Sequence, residues 1–237
     1  VLVAERGKTE ALVRGIAGCF KEKGLATGGW VANVHNKVLA GSGLSSSAAI
    51  EVLVASIFNS LYNDNALGPL ELAIMGQRAE NHWFGKPCGL MDQIACASGG
   101  AVAINFENPE KPELEKLPFN PQDAGLCLCV LNTGGSHADL TADYAAIPQE
   151  MKALAQSLGA AVLRETSKEA VLAQAAELRK RHGDRAVLRA LHYFDENKRV
   201  QAMRLALKEN RLPDFIAGVN ESGRSSVQLL QNIYSPA

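Results

Sequence analysis

No stretch of this chain is apolar for long enough to cross a bilayer as a helix, so no segment reads as a membrane span. Charge of one sign is missing too: 24 Lys and Arg stand against 25 Asp and Glu, for a formal net charge of -1. Without a positive field, nothing global draws the chain to nucleic acid or to an acidic membrane surface. The local cluster Arg179-Lys180-Arg181 reads as a solvated helix end, where cations suit the macrodipole. Cysteines number five and form no paired framework, which predicts reduced thiols of a cytoplasmic kind. Cys127 and Cys129 alternate in an apolar run, which predicts burial on one face of a strand rather than metal binding.

What is present is ordinary for a globular protein: 47% hydrophobic and 21% charged residues over 237 positions, room for one or two domains. Apolar spacing predicts helices over Thr9 to Lys23, Ser45 to Tyr62, Pro69 to Phe84 and Cys88 to Ala97. The second of these is apolar around most of its circumference and is expected to be buried. Strands are predicted at Trp30 to Leu39, Ala101 to Phe106 and Leu126 to Asn132, with a surface hairpin and connector over Asn108 to Pro121. From Leu140 onward the pattern is helical: Leu140 to Leu158, Lys168 to His182, Arg185 to Glu209 and Pro213 to Tyr234, with a capping box at Thr166-Ser167-Lys168-Glu169. Strands early and helices late predict an α+β chain, with a domain change near Asp123 dividing residues 1–123 from 124–237.

The most informative stretch is Gly41-Ser42-Gly43-Leu44-Ser45-Ser46-Ser47-Ala48, between a predicted strand and a predicted buried helix. Its glycines let the backbone turn tightly and approach a ligand. Its serines fall where the first helical N–H groups are unpaired and the dipole end is positive, an arrangement that holds phosphates. The lysine of a P-loop is absent, as are the third glycine and following acid of a dinucleotide loop. A flexible turn with serine caps is the plainer alternative. Downstream, Glu80 and Asp92 sit in fairly apolar sequence. Carboxylates near a phosphate loop can hold Mg²⁺ or orient an attacking hydroxyl; a surface glutamate and a helix-capping aspartate are the plainer alternative.

Together these segments resemble the galactokinases of the GHMP kinase family. The resemblance is carried by Gly41 to Ala49 with Glu51, by Ala79-Glu80-Asn81 followed by Cys88-Gly89-Leu90-Met91-Asp92-Gln93, by Asn132 to His137 through Tyr144, and by Asn220 to Ser226. It implies a two-domain fold, an N-terminal domain like a ribosomal-protein fold and a ferredoxin-like C-terminal domain, here truncated at both ends. It implies that ATP phosphates bind at Gly41 to Ala48, that Ser47 and Glu80 ligate Mg²⁺, that Asp92 is the catalytic acid group, and that Gly89, Asp92 and Tyr144 meet the sugar. The implied reaction is ATP-dependent phosphorylation of galactose at its anomeric hydroxyl. A kinase for another sugar, such as N-acetylgalactosamine, or a non-catalytic sugar and ATP sensor are the alternatives. The family's N-terminal sugar-binding motif and C-terminal glycine-rich motif have no match, so the piece alone is expected to have little or no activity.

Overall fold

The computed structural model describes residues 3–36, 43–131 and 141–233. Within these the chain divides into two compact units, Val1–Gly134 and Gly135–Ala237.

The first unit is built on four helices: α1 (Thr9–Glu22), α2 (Ser46–Tyr62), α3 (Pro69–Arg78) and α4 (Met91–Ser98). The apolar stripe of α1 places Ala11, Leu12, Ile16, Cys19 and Phe20 inward, as a 3.6-residue period requires. Gly24 ends α1, its N–H donating to the carbonyl of Lys21 while that of Leu25 reaches Phe20. Pro69 opens α3 behind Gly68, whose N–H donates to the Glu71 carboxylate. Phe20 and Phe58 meet in the middle of this core at a ring separation of 5.6 Å, with Val54, Leu72 and Met75 around them. Helix α2 buries Ala48, Val52, Val54, Ala55 and Phe58 but leaves Leu53 and Leu61 exposed, so it is a two-faced helix rather than a fully buried one.

Helix α3 does not run regularly to Phe84. It widens into a π turn, Ala79–Phe84, closed by the Gly85 N–H on the Glu80 carbonyl at 2.9 Å. Gly85 can end it because its φ of 91° is open only to glycine at low cost. Beyond α4, Gly99 and Gly100 turn the chain into β1 (Ala101–Asn105), which pairs antiparallel with β2 (Glu113–Leu117) in the register Ala103↔Glu115. A small second cluster of Ala73, Leu90 and Ile94, with Ile104 and Leu114 against it, joins this hairpin to α3 and α4.

Two predicted strands are corrected. Residues 30–36 and 126–131 form no ladder among the described residues. Alternation makes a strand only where a partner strand and a buried face receive it. Here Val31 and Leu128 stand in solvent, and Cys127 and Cys129 are exposed rather than buried. Residues 37–39 and 132 of those predictions lie outside the described residues.

The second unit, as described, is helical: α5 (Thr141–Ser157), α6 (Lys168–Ala173), α7 (Ala175–His182), α8 (Asp184–Lys208) and α9 (Leu212–Ser225). Its core gathers Leu154, Leu163, Val171, Leu178, Val187 and Ala190. The single helix expected from Lys168 to His182 breaks at Gln174, which leaves helical geometry at φ −109° and ψ 15° without any Gly or Pro to announce it. The cap of α6 is Ser167, whose side chain accepts from the Ala170 N–H at 3.1 Å; Thr166 instead donates back to the Leu163 carbonyl. The basic cluster does end α7, with Arg179 donating to Asp184 at 2.7 Å. Chain α9 also closes in a π turn, Ser226–Leu230. No described helix is long and apolar enough to cross a membrane.

Candidate active site

Helix α2 begins at the predicted phosphate loop. Gly43 and Leu44 are exposed just before it. Ser45 is the N-cap in the left-handed region, φ 56° and ψ 43°, and makes no side-chain cap hydrogen bond. A non-glycine residue held there is strained, a condition often tied to function. Ser46, Ser47 and Ala48 form the first turn, whose N–H groups have no intrahelical partner and no side-chain cap from Ser45. Gly41 and Ser42 lie outside the described residues.

One turn beyond Ser47, on the same face of α2, is Glu51, wholly buried. Glu80, in the π turn, is 2% exposed, which rules out the surface-glutamate alternative. Between them stands Gln93 of α4, 1% exposed. Its amide Nε2 donates to Glu51 Oε2 at 2.9 Å and to Glu80 Oε2 at 3.1 Å. The amide turns its nitrogen toward one oxygen of Glu51 and one of Glu80. Gly76 makes the approach of α3 possible: a Cβ there would lie 3.1 Å from Glu51 Cβ and 3.3 Å from Gln93 Cγ.

The electrostatics follow from the crowding. Burial, opposed by the Gln93 hydrogen bond and reinforced by Glu80, pushes the Glu51 carboxyl up to about 8. Glu51 is therefore mostly protonated at neutral pH, which removes a like-charge pair from the interior. Burial and the neighbouring Glu80 push the Cys88 thiol up to about 12, so it is inert as a nucleophile. Glu51 Oε1 and Gln93 Oε1 are buried and find no partner among the described residues. Glu80 Oε1 faces the ammonium of the exposed Lys86 at 3.4 Å.

Asp92 directly precedes Gln93 and is exposed in the first turn of α4. It does not cap that helix, whose N-cap is Leu90. The approach to α4 is gripped at Cys88, whose N–H donates to Asn81 Oδ1 at 2.6 Å and whose carbonyl accepts from Gln77 at 3.2 Å. Gly89 is exposed and a Cβ on it would meet nothing within 4 Å. The structure thus brings the α2 N-terminus, Glu80 and Asp92 onto one group of packed elements. Tyr144 is 57% exposed on α5 of the other unit. Residues 132–137 of the sugar-side segment lie outside the described residues. Of the Asn220 to Ser226 segment, Ser225 shares a 2.8 Å hydrogen bond with His192 and Ser222 donates to Glu196, which ties α9 to α8.

Gln93 and Glu51 are not among the residues for which a role is predicted from sequence. Both had a signal: an acid inside the apolar run Ala-Ala-Ile-Glu-Val-Leu-Val-Ala demands a buried partner, and a glutamine supplies one.

No group of three or more His, Cys, Asp or Glu among the described residues is arranged to hold a metal ion. Mg²⁺ asks for less, one or two protein oxygens with phosphate and water completing its shell. Ser47 and Glu80 offer that donor chemistry, and Glu80 Oε1 already faces one cation, the Lys86 ammonium.

Comparison with known proteins agrees with this geometry. Residues 11–100 match the GHMP kinases N terminal domain. A galactokinase of Actinobacillus pleuropneumoniae is 33% identical over 79% of this chain and 48% of its own length. One of Pyrococcus furiosus is 32% identical over 83% of this chain and 53% of its own. The chain thus spans about half the length of the curated relatives it matches. The crystal structure of Lactococcus lactis galactokinase complexed with galactose superposes with a TM-score of 0.68 at 23% identity, covering 94% of this chain and 57% of that one. Over residues 11–100 this chain is thus similar to the N-terminal domain of GHMP kinases, and its fold is of the kind seen in the galactokinase structure.

Proposed function

We propose that this chain carries the phosphate-binding and acid elements of an ATP-dependent galactose 1-kinase. The observation that carries the reading is the tie through Gln93, which holds the first turn of α2, Glu80 and the Asp92 turn in one rigid group.

The uncapped N–H groups of Ser46 to Ala48 hold ATP phosphate oxygens, favoured by the positive end of α2. Gly41 to Ser45 complete that loop. Ser47 and Glu80 would hold Mg²⁺, which when bound would neutralise phosphate charge as it develops. Asp92, exposed on its turn, accepts or orients the proton of the anomeric hydroxyl as it attacks the γ-phosphate. The bond from that oxygen to phosphorus forms as the bond to the β-phosphate oxygen breaks, and ADP leaves. Gly89, with open space before it, and Tyr144 contact the sugar.

The test is to incubate the full gene product with Mg·ATP and a panel of sugars, following ADP release and the phosphorus spectrum of the product. Galactose-dependent ADP release with a sugar 1-phosphate signal is expected. Turnover on a different sugar corrects the substrate alone. Binding of ATP and galactose without turnover contradicts the kinase reading in favour of a sensor.

A further inference from the structure

The tie between Glu51 and Gln93 has a geometry that simple packing would not require. Cys88, at the entrance of α4, is held from α3 and its π turn by Gln77 and Asn81, and its Sγ accepts from Gln93 itself at 3.6 Å. Leu90 and Ile94 pack against Ala73, an apolar contact that carries no directional bond. The directional link from α4 to α2 is Gln93 Nε2 on Glu51 Oε2, at 2.9 Å. Each end of that link adjoins a residue of the proposed reaction. Glu51 lies one turn from Ser47, and Gln93 is bonded in sequence to Asp92. Both side chains are at least nine-tenths buried, so water does not compete for the bond.

We propose that Gln93 is a positioning residue: acting through Glu51, it sets the separation between the phosphate-binding turn of α2 and Asp92 on α4. The second donor of the amide, on Glu80 Oε2 at 3.1 Å, holds the π-turn carboxylate to the same frame. One side chain thereby registers three elements that approach from different parts of the sequence. Phosphoryl transfer rests on alignment, and misplacement by about 1 Å can cost about 100-fold in rate. The kinetic arm of this inference rests on the kinase reading above; the structural arm does not.

The experiment compares wild type with Gln93→Leu, which removes both donors, and Gln93→Asn, which keeps the amide but shortens its reach. The full gene product is used, with steady-state kinetics and amide hydrogen exchange measured on the same preparations. For Gln93→Leu, kcat is expected to fall at least tenfold while the KM for ATP moves less than threefold. Exchange across Met91–Ser98 should rise at least tenfold, with that of Thr9–Glu22 unchanged. Gln93→Asn should move the same quantities in the same direction by a smaller factor, and it decides the matter if Gln93→Leu does not fold. Unchanged exchange in α4 overturns the proposal, as does a uniform rise across the whole first unit. So does a kcat loss that only tracks the folded fraction. If wild type shows no turnover, the kinase reading fails, and the exchange comparison alone decides whether Gln93 registers α4.

Discussion

The first unit buries a polar trio, Glu51, Glu80 and Gln93, and the second a polar cluster around Arg189; each closes a helix with a π turn, yet the two groups are built on opposite electrostatic logic. In the second unit Arg189, 3% exposed, donates to Glu150 at 2.8 Å and to the Leu230 carbonyl of the π turn at 3.0 Å, while His192 and Ser225 share a hydrogen bond. Opposite charges meet, and the interaction locks α5, α8 and the end of α9 together. In the first unit two carboxylates share one amide, and two acceptor oxygens stay unmatched among the described residues. A cluster that served only stability would not leave two buried acceptor oxygens unmatched. The difference sets the first group apart as an electrostatically costly arrangement, while the second acts as a helix clamp.

The comparison breaks first at the cores. Phe20→Ala should cost the first unit about 3–5 kcal/mol, and Leu154→Ala the second about 2–5 kcal/mol, both side chains being fully buried. Both tryptophans, Trp30 and Trp83, pack against the first core, so denaturant melts followed by their emission isolate that unit. If Leu154→Ala shifts the tryptophan transition as far as Phe20→Ala does, the units unfold as one and the comparison must be redrawn. A smaller effect, of about 1–3 kcal/mol, is expected for Gly76→Ala, because the added Cβ meets Glu51 and Gln93, neither of which has room to retreat. A neutral or stabilising result by the same melt would show the trio to be loosely packed.

The gentlest contrast is in pH. The Glu51 carboxyl is raised by burial from 4.5 to about 8, so the folded unit holds a proton that the unfolded chain has lost. Its stabilising contribution is complete below about pH 4.5 and is lost as pH rises to about 8. His192 is shifted the other way: burial lowers it from 6.5, so its contribution is present above that pH and lost as pH falls below it. Between pH 5 and 8 the tryptophan melt should weaken with rising pH, and Glu51→Gln should flatten that slope. Protection of α8 amides should instead strengthen from pH 5 to 7, and His192→Leu should abolish the change. Parallel trends in the two units would contradict the opposite wiring.

Much of this was legible in the residues. The stripe of α1, the Pro69 and Gly85 ends of α3 with its π turn, and the Gly99-Gly100 corner all depend on local chemistry, which sequence displays directly. What was not legible depends on partners distant in sequence. Nothing local at Leu126 to Leu131 reveals that no strand will receive it, and nothing at Gln174 predicts a break that packing imposes. In the site, the loop and the acids could be named from residue type and resemblance, but the bond of Gln93 to Glu51, 42 positions apart, exists only in three dimensions.

The most direct measurement is the turnover of Asp92→Asn against wild type in the full gene product, at saturating Mg·ATP and galactose. Asp92 is exposed and uninvolved in the trio, so the variant should fold as wild type does. The account predicts that kcat falls by about 100- to 10,000-fold with the tryptophan melt unchanged. A variant that folds normally and keeps wild-type turnover would contradict it.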